Sequence, residues 1–259
     1  MGMPLDGLTL AQAVDRVLEG LAAGCGGAVL TPNLDILRQY RRSPTLQRVF
    51  ETTELLVPDG MPLVWASRLQ GTPLPQRVTG SDMLWGIAAA AAARRASIFL
   101  AGGHPGVAHR AADRIGRLYP GLRIVAHPCY VRPGPVADQV DDLASTLVAT
   151  APDVVYLGLP FASQVYLVTA LRYRLPRTWF VGVGSSFDLV NGDRTRAPEW
   201  LQRLGLEWAH RLVHEPRVWR RYLIHGLPFA GHLGVHALGV RMRRRRRPAV
   251  KPLGWRLGP

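Results

Sequence analysis

A carboxylate stands at a turn between two apolar stretches, in the run V-P-D-G-M-P-L-V-W at 57–65. The residues before it, E-L-L-V, predict a short strand, and those after it predict a helix with proline near its start. Asp59 suits the N-cap of that helix, because aspartate is common at this position. A carboxylate at the end of a strand is also suited to removing a proton during catalysis. Position alone leaves both interpretations open.

Small polar residues follow two other predicted strands, in T-P-N-L-D (31–35) and G-V-G-S-S-F-D (182–188). Taken singly, Asn33 or Ser186 is more typical of a helix cap than of a ligand contact. Together with Asp59, however, they place polar side chains where a parallel sheet presents its ligand-binding edge. Capping is therefore a less satisfactory explanation for all of them at once.

Two further segments are suited to binding a phosphate group. A-G-G-H-P-G (101–106) follows a predicted strand and opens a helix, which offers backbone N–H groups and the helix dipole to an anion. Such turns also use glycine for geometry alone. Arg77, in R-V-T-G-S-D (77–82), either binds a diphosphate through two parallel hydrogen bonds or is an ordinary surface arginine.

The signatures of several other chemistries are missing from the sequence. There is no G-x-G-x-x-G dinucleotide motif, no P-loop and no G-x-S-x-G nucleophile turn. There is also no D-x-D pair of the kind that holds a divalent ion for nucleotide-sugar chemistry, and no His, Cys and carboxylate cluster with metal-ligand spacing. We therefore expect no cofactor and no metal ion.

Short apolar runs alternate with helix-period segments along most of the chain, which predicts an α/β fold with a mostly parallel sheet flanked by helices. The predicted strands are 26–31, 54–57, 97–102, 122–126, 153–159 and 178–184. The predicted amphipathic helices are 11–21, 81–90, 107–118 and 136–147. Sheets of this kind bind ligands at the carboxyl ends of their strands, which is where the polar segments lie.

The formal net charge of +14 is concentrated at the C-terminal end of the chain. Residues 194–259 hold 15 Lys and Arg against 3 Glu, whereas residues 1–193 are close to neutral. This asymmetry predicts a core domain (1–193) and a basic helical appendage rich in aromatic residues, with an arginine-rich tail (194–259). Such a surface suits an anionic partner, either nucleic acid or an anionic membrane.

Residues 222–240 contain no Asp, Glu, Lys or Arg and are followed at once by R-M-R-R-R-R-R-P. Three His, four Gly and one Pro in this run disfavour a transmembrane helix, although its length is close to the ~20 residues needed. A segment lying in the membrane interface, with arginines on the lipid headgroups, fits better. A packed helix with a solvated basic tail is the alternative. Two distant cysteines and the absence of a signal-peptide pattern favour a cytoplasmic location.

Several of these segments, read in order, resemble the WecG/TagA/CpsF glycosyltransferases, family 26. They are T-P-N-L-D, V-P-D-G-M-P-L-V-W, P-Q-R-V-T-G-S-D, L-A-G-G-H-P-G-V-A, V-G-V-G-S-S-F-D and R-A-P-E-W-L-Q-R-L-G-L-E-W. The similarity covers about residues 5–222. The motif set is specific, because P-D-G followed by R-V-T-G and then by R-A-P-x-W-x-Q-x-x-G-L-E-W is difficult to meet by accident.

The resemblance implies a bacterial, metal-independent, inverting transferase with a Rossmann-like core. Such an enzyme moves an N-acetylmannosamine-like hexosamine from a UDP-sugar to a polyprenyl-diphosphate-linked sugar, for teichoic acid, exopolysaccharide or related cell-envelope synthesis. It implies an enzyme peripherally associated with the inner face of the cell membrane. The basic aromatic tail agrees with a lipid-linked acceptor, and no nucleic-acid partner is expected. The sequence leaves a homo-oligomer open.

The resemblance also assigns site residues. Asp59 corresponds to the general base, with Thr31 beside it as a second catalytic residue, and Arg77 corresponds to the arginine of R-V-T-G. Arg211 and Arg221 correspond to basic residues of the appendage that close over the active site and meet the diphosphate of the acceptor. The expected substrate-binding set is Asn33, Gly60, Arg77, Gly102, Gly103, Gln164, Gly184, Ser186, Arg211 and Arg221.

The chain departs from the family pattern in one loop. Where the family commonly has G-L-G-x-P-K-Q-E-x-W, this sequence has G-L-P-F-A-S-Q-V-Y-L at 158–167, so that Ser163 and Val165 replace a lysine and a glutamate. This loop would border the nucleotide-sugar pocket, and the identity of the donor sugar therefore stays open. Two alternatives to an enzyme remain, a nucleic-acid-binding protein that uses the basic region and a non-catalytic homologue.

Overall fold

The computed structural model describes residues 2–127, 137–214 and 219–246 of the chain. All six predicted strands are present, and each overlaps its predicted range. They are β1 (Gly27–Leu30), β2 (Leu55–Leu56), β3 (Ser97–Gly102), β4 (Arg123–His127), β5 (Val154–Gly158) and β6 (Trp179–Gly182). Except for β4, they are almost entirely buried, which is typical of strands covered by helices on both faces.

The strands form one sheet in the order β2-β1-β6-β5-β3-β4, and every adjacent pair is parallel. The predicted α/β class with a mostly parallel sheet is therefore confirmed. Because parallel strands end at the same edge, the segments that follow β1, β2, β5 and β6 meet there. The connections that follow the neighbouring strands β5 and β3 run in opposite directions along the sheet. Such a switch point is where open α/β sheets bind ligands.

Helices cover both faces of the sheet. They are α1 (Leu10–Ala22), α2 (Leu34–Tyr40), α3 (Pro44–Glu51), α4 (Met61–Gln70), α5 (Gly80–Arg94), α6 (Val107–Leu118), α7 (Ala137–Thr150), α8 (Phe161–Leu171) and α9 (Ser186–Asn191). The four predicted amphipathic stretches correspond to α1, α5, α6 and α7. The helix expected after Asp59 is α4, which begins with proline near its first residue as predicted.

Alternating side chains of the central strands divide the core into two layers, as the period of two in a strand requires. On β3, Ile98 and Leu100 pack with α1, α5, α6 and α9, whereas Phe99 and Ala101 pack with α7 and α8. A third apolar cluster lies at the β1–β2 edge, where α2, α3 and α4 cover Leu30 and Leu56. This arrangement leaves the carboxyl edge of the sheet open.

The C-terminal region is helical, as predicted. It contains α10 (Glu199–Arg203), α11 (Glu207–His214), a π-helical segment (Arg220–Gly226) and α12 (Leu227–Arg246), which continues directly from that segment. Leu233 and Ala237 of α12 are buried in the third apolar cluster, and α12 packs against α4 and α2. The appendage thus shares part of the hydrophobic core of residues 1–193. The arginine-rich tail beyond residue 246 lies outside the described residues.

Candidate active site

A cleft of about 980 Å³ opens at the carboxyl edge of the sheet. Its walls come from the segments after β1, β2, β3, β5 and β6, from the start of α5, from α11 and from the helix that begins at Arg220. Most of the predicted site residues line it: Thr31, Asn33, Asp59, Gly60, Arg77, Gly103, Gln164, Gly184, Ser186 and Arg211. The topology therefore brings together residues that are spread over 180 positions of the sequence.

Asp59 does not cap the helix that follows it. The N-cap of α4 is Gly60, and no side chain forms a capping hydrogen bond there. Within the part of the chain that the structure describes, the Asp59 carboxylate accepts no hydrogen bond. Its backbone N–H donates to the carbonyl oxygen of Pro32 at 2.9 Å, which joins the P-D-G turn to the segment after β1. The capping interpretation of Asp59 is wrong, and its carboxylate faces the cleft.

The electrostatic surroundings of Asp59 suit a general base. Burial raises the pKa of its carboxyl group to about 7, although the guanidinium groups of Arg211 and Arg77 oppose the rise. The negative charges of Glu207 and Asp82 add to it. A base whose pKa lies near the working pH combines a useful ionised fraction with a strong affinity for the proton.

Arg77 and Arg211 meet on the carboxylate of Glu207. Arg77 Nη1 donates to Glu207 Oε2 at 2.5 Å, and Arg211 Nη2 donates to Glu207 Oε1 at 3.3 Å. Burial alone would raise the pKa of Glu207, but the hydrogen bond and charge of Arg77, helped by Arg211 and Arg196, hold it below its ordinary value. Glu207 is thus an ionised carboxylate that holds two guanidinium groups at the wall of the cleft.

Thr31 and Asn33 lie at the cleft on the segment that follows β1. The Oδ1 atom of Asn33 accepts hydrogen bonds from the backbone N–H groups of Asp35 and Ile36, both at 3.1 Å, and so caps α2. Asn33 therefore combines the capping role with a place in the cleft wall. Thr31 is half-buried and lines the cleft next to it.

The glycines after β3 and β6 do not offer free N–H groups to a phosphate. The N–H of Gly103 donates to Gly158 O at 2.8 Å, and that of Gly184 donates to Leu157 O at 3.2 Å. Both residues line the cleft, and because glycine has no side chain they leave space in it. The predicted phosphate cradle at 101–106 is therefore not formed by the N–H of Gly103.

Gly102 is outside the lining of the cleft. Its φ is +107°, and a Cβ atom would lie 2.6 Å from the carbonyl oxygen of Gly158 on the neighbouring strand. Close packing of β3 against β5 explains this glycine, which corrects its expected role in substrate binding. Arg221 lies in the π-helical segment, and its side chain lies outside the described part of the structure.

Gln164 and Ser186 line the cleft, and each also donates a hydrogen bond to a backbone carbonyl of the protein. Gln164 Nε2 donates to Leu159 O at 2.7 Å, and Ser186 Oγ donates to Val183 O at 2.5 Å. Each side chain is buried and fixes the loop that leaves a central strand, β5 for Gln164 and β6 for Ser186. Over the described ranges, no group of three or more His, Cys, Asp or Glu side chains is arranged to hold a metal ion.

The chain is similar to known proteins over most of its length. A family model described as "Glycosyl transferase WecG/TagA/CpsF family" matches residues 1–246. The chain belongs to this family. The predicted resemblance, placed at residues 5–222, is thus confirmed, and the match to the family model extends to the end of α12.

Two relatives of the chain carry the same name, N-acetylglucosaminyldiphosphoundecaprenol N-acetyl-beta-D-mannosaminyltransferase. One is from Bacillus spizizenii and is 31% identical over 198 residues, which is 76% of this chain and 75% of the relative. The other is from Bacillus subtilis and is 30% identical over 199 residues, again 76% of this chain and 75% of the relative.

Glu207 is the residue of the site that sequence reasoning missed. It stands in the G-L-E-W part of the motif that helped to identify the family, but it lies 130 positions from Arg77. The available signal was that Glu207 is one of three glutamates in a basic appendage. That signal does not name a partner, because many such residues simply form surface pairs with neighbouring arginines.

Gly205 attaches the appendage to the core beside the cleft. Its φ is +75°, and a Cβ atom would lie 2.6 Å from Met61 Cγ and 2.7 Å from Trp65 Cζ2 on α4. Gly205→Ala should therefore combine backbone strain with a clash and lower the free energy of unfolding by about 1–3 kcal/mol. Denaturation with urea measures this change.

Gly231→Ala is the matched control, because Gly231 lies in α12 with open space around its Cβ position. That substitution should leave stability unchanged or raise it by ~0.5–1 kcal/mol, since alanine favours the helix. Equal stability of the two variants would show that Gly205 does not anchor the appendage.

Proposed function

We propose that this protein is an inverting, metal-independent glycosyltransferase. It transfers an N-acetylmannosamine-like sugar from a UDP-sugar to an N-acetylglucosaminyl-diphosphate-polyprenol. The names of the two relatives support the sugar and the acceptor. The observation that carries the proposal is the site itself, in which a carboxylate of pKa about 7 lies in the same cleft as two arginines.

The chemistry assigns a task to each group. The acceptor hydroxyl oxygen attacks the anomeric carbon of the donor sugar, and its proton passes to Asp59. The bond between the anomeric carbon and the diphosphate oxygen breaks, and UDP leaves with the electron pair. Attack from the face opposite UDP inverts the configuration at that carbon. Arg77 and Arg211 stabilise the diphosphate charge that develops as the bond breaks.

The test is a screen of UDP release against donor sugars in the presence of EDTA. The donors are UDP-N-acetylmannosamine, UDP-N-acetylglucosamine and UDP-glucose, each with a short-chain N-acetylglucosaminyl-diphosphate-prenol as acceptor. We expect acceptor-dependent UDP release that EDTA does not reduce, with UDP-N-acetylmannosamine the best donor. Since Ser163 and Val165 depart from the family pattern, another hexosamine as the best donor would revise the sugar only. No acceptor-dependent release from any donor would overturn the proposal.

We also propose that the helix from Trp219 to Arg246 rests on the inner face of the cell membrane. The stretch Tyr222–Arg243 is long and apolar enough to cross a membrane, and 11% of it is buried in the protein. Its buried face carries Leu233 and Ala237. The opposite side exposes an apolar stripe, defined here as Trp219, Leu223, Leu227, Val235, Leu238 and Met242.

This stripe favours a helix that lies in the membrane plane rather than one that crosses it, because a crossing helix would have to leave the core. Arg220, Arg241 and Arg243 are exposed at the two ends of the stripe, where they can meet anionic headgroups. The helix also lines the cleft through Tyr222 and Leu227. A lipid-linked acceptor would thus reach the site from the membrane surface.

Replacing Val235, Leu238 and Met242 together by serine should weaken binding to vesicles that contain phosphatidylglycerol by at least ~10-fold. Each of these side chains contributes about 1 kcal/mol or more when it is buried in lipid. Co-sedimentation measures the bound fraction. Substitution tests membrane binding more specifically than deletion of residues 223–259 does. Deletion would also remove Leu233 and Ala237 from the core and so disturb folding.

The matched control replaces three exposed apolar residues elsewhere, Leu118, Val148 and Tyr173, by serine. Vesicle binding of this variant should equal that of the wild type. Unchanged binding by the variant of the apolar stripe would count against the membrane proposal.

A further inference from the structure

Glu207 is a buried carboxylate in a cleft that we expect to bind a diphosphate. Its side chain is 12% exposed, and that of Arg77, which donates the shorter of its two hydrogen bonds, is 13% exposed. A negative charge at this place repels a diphosphate and lowers its affinity. Burying it also has a cost in desolvation. A glutamate at this position must therefore make a contribution that outweighs these two costs.

Glu207 makes this contribution through its hydrogen bonds to two arginines. Arg77 lies in the core segment between α4 and α5, whereas Glu207 and Arg211 lie one turn apart on α11 of the appendage. Glu207 is thus the point at which the core arginine and the appendage arginine are held together. Each guanidinium gives one nitrogen to Glu207, and both side chains line the cleft. Because a guanidinium has five N–H donors in a rigid plane, fixing one edge also fixes the direction of the others.

We propose that Glu207 is a positioning residue for the transfer reaction, which holds Arg77 and Arg211 so that their remaining N–H groups face the diphosphate of the leaving UDP. This inference rests on the proposed function. It adds to it an acidic residue that works through the two arginines and does not itself touch the substrate.

The same carboxylate acts on Asp59. Among the described residues, the charged groups that act on Asp59 are Arg77, Arg211, Glu207 and Asp82. Removing the negative charge of Glu207 takes away one of the two contributions in this set that raise the pKa of Asp59, which favours its ionised form. The pKa of Asp59 should then fall, and Asp59 should become a weaker base. The pKa of Asp59 therefore reports the charge of Glu207, whereas kcat reports the orientation of the two arginines.

The test compares Glu207→Gln with the wild type in the full chain. We expect the acid limb of the pH profile of kcat/KM to move to lower pH by ~0.5 unit or more. We expect kcat at pH 8 to fall by at least ~10-fold, because glutamine cannot hold both arginines through charge. The KM for the UDP-sugar should change by less than about threefold, since loss of orientation and loss of repulsion act in opposite directions.

Two further variants make the result specific. Glu207→Asp keeps the charge, so its acid limb should stay at the wild-type pH even if kcat is reduced. Glu54→Gln is the matched control, because Glu54 also pairs with an arginine, Arg172, but lies outside the lining of the cleft. It should leave both the pH profile and kcat unchanged.

A titration without substrates separates this inference from the proposed function. The carboxyl carbon of Asp59, assigned by its loss in Asp59→Asn, is followed by NMR against pH in the wild type and in Glu207→Gln. A lower Asp59 pKa in Glu207→Gln supports the inference even if no donor sugar is transferred. The same Asp59 pKa in both proteins, or an acid limb that moves equally in Glu54→Gln, would overturn it.

Discussion

Asp59→Asn is expected to reduce the transfer rate by at least ~10²–10⁴-fold, the contribution of a well-placed general base. Asparagine has nearly the same shape as aspartate but cannot accept the proton of the acceptor hydroxyl. The Asp59 carboxylate accepts no hydrogen bond within the described residues, so the substitution removes no structural contact. UDP binding should remain within a few-fold of wild type, and calorimetry measures it separately from turnover.

Asp35→Asn is the matched control for this loss. Asp35 also lines the cleft, but its carboxylate is bonded to Arg38 and Gln39 on α2. Its substitution should change turnover by no more than a few-fold. Comparable losses in the two variants would mean that the rate depends on the charge of the cleft and not on a base at position 59.

The raised pKa of Asp59 also predicts how activity and stability depend on pH. Turnover should decline as the pH falls below about 7, because Asp59 then becomes protonated. The contribution of Asp59 to folding stability changes with pH in the opposite direction. The folded protein holds this proton more tightly than the unfolded chain, so the contribution of Asp59 is greatest below about pH 4 and is lost as the pH rises through 7. Asp59→Asn should therefore be more stable than wild type at pH 8, by about 1–3 kcal/mol, and the difference should narrow at pH 5.

Arg77→Ala is expected to have the second large effect, on both rate and stability. The rate should fall by ~10²-fold or more, because Arg77 is expected to stabilise the leaving diphosphate. The free energy of unfolding should fall by ~3 kcal/mol, because Glu207 would keep its buried charge after losing the shorter of its two hydrogen bonds to arginine among the described residues. Steady-state kinetics and urea denaturation measure the two losses independently.

Arg110→Ala is the control for Arg77→Ala. Arg110 also pairs with a carboxylate, that of Asp193 at 2.9 Å, but the two side chains are 54% and 48% exposed. An exposed pair contributes only about 0–1 kcal/mol, and this one lies outside the lining of the cleft. If the two alanine variants lost the same stability and the same activity, the account of the arginine cluster would be wrong.

The fold could be predicted from the sequence because each strand is a short apolar run bounded by turn residues and separated by helix-period segments. That pattern also placed Thr31, Asp59 and Gly184 at one edge, since the ends of parallel strands must meet there. The helices α2 and α3 were missed because each is only about two turns long. The helix α8 was missed as well, because its first residues were interpreted as part of a loop at 158–167. Their polar caps, Asn33 and Ser43, were visible in the sequence but are also common in turns.

The contacts between distant residues of the site could not be predicted from the sequence. The sequence showed Arg77, Glu207 and Arg211, but not that Glu207 would join a core loop to the appendage. It also left Asp59 between cap and base, and the N-cap of α4 at Gly60 excludes the cap. The role of Asp59 as the base is a proposal. The absence of charged residues at 222–240 did not show which side of this helix packs against the core and which side is exposed. The positions of Leu233 and Val235, two residues apart on opposite sides of α12, made that distinction.

The most direct test of the account is to detect the sugar-extended acceptor by mass spectrometry. Wild type and Asp59→Asn would be incubated side by side at pH 8 with UDP-N-acetylmannosamine and a short-chain N-acetylglucosaminyl-diphosphate-prenol. The account predicts an acceptor that gains one N-acetylhexosamine unit with the wild type and at least ~10²-fold less of it with Asp59→Asn. Product formation at equal rates by the two proteins would contradict the central role given to Asp59.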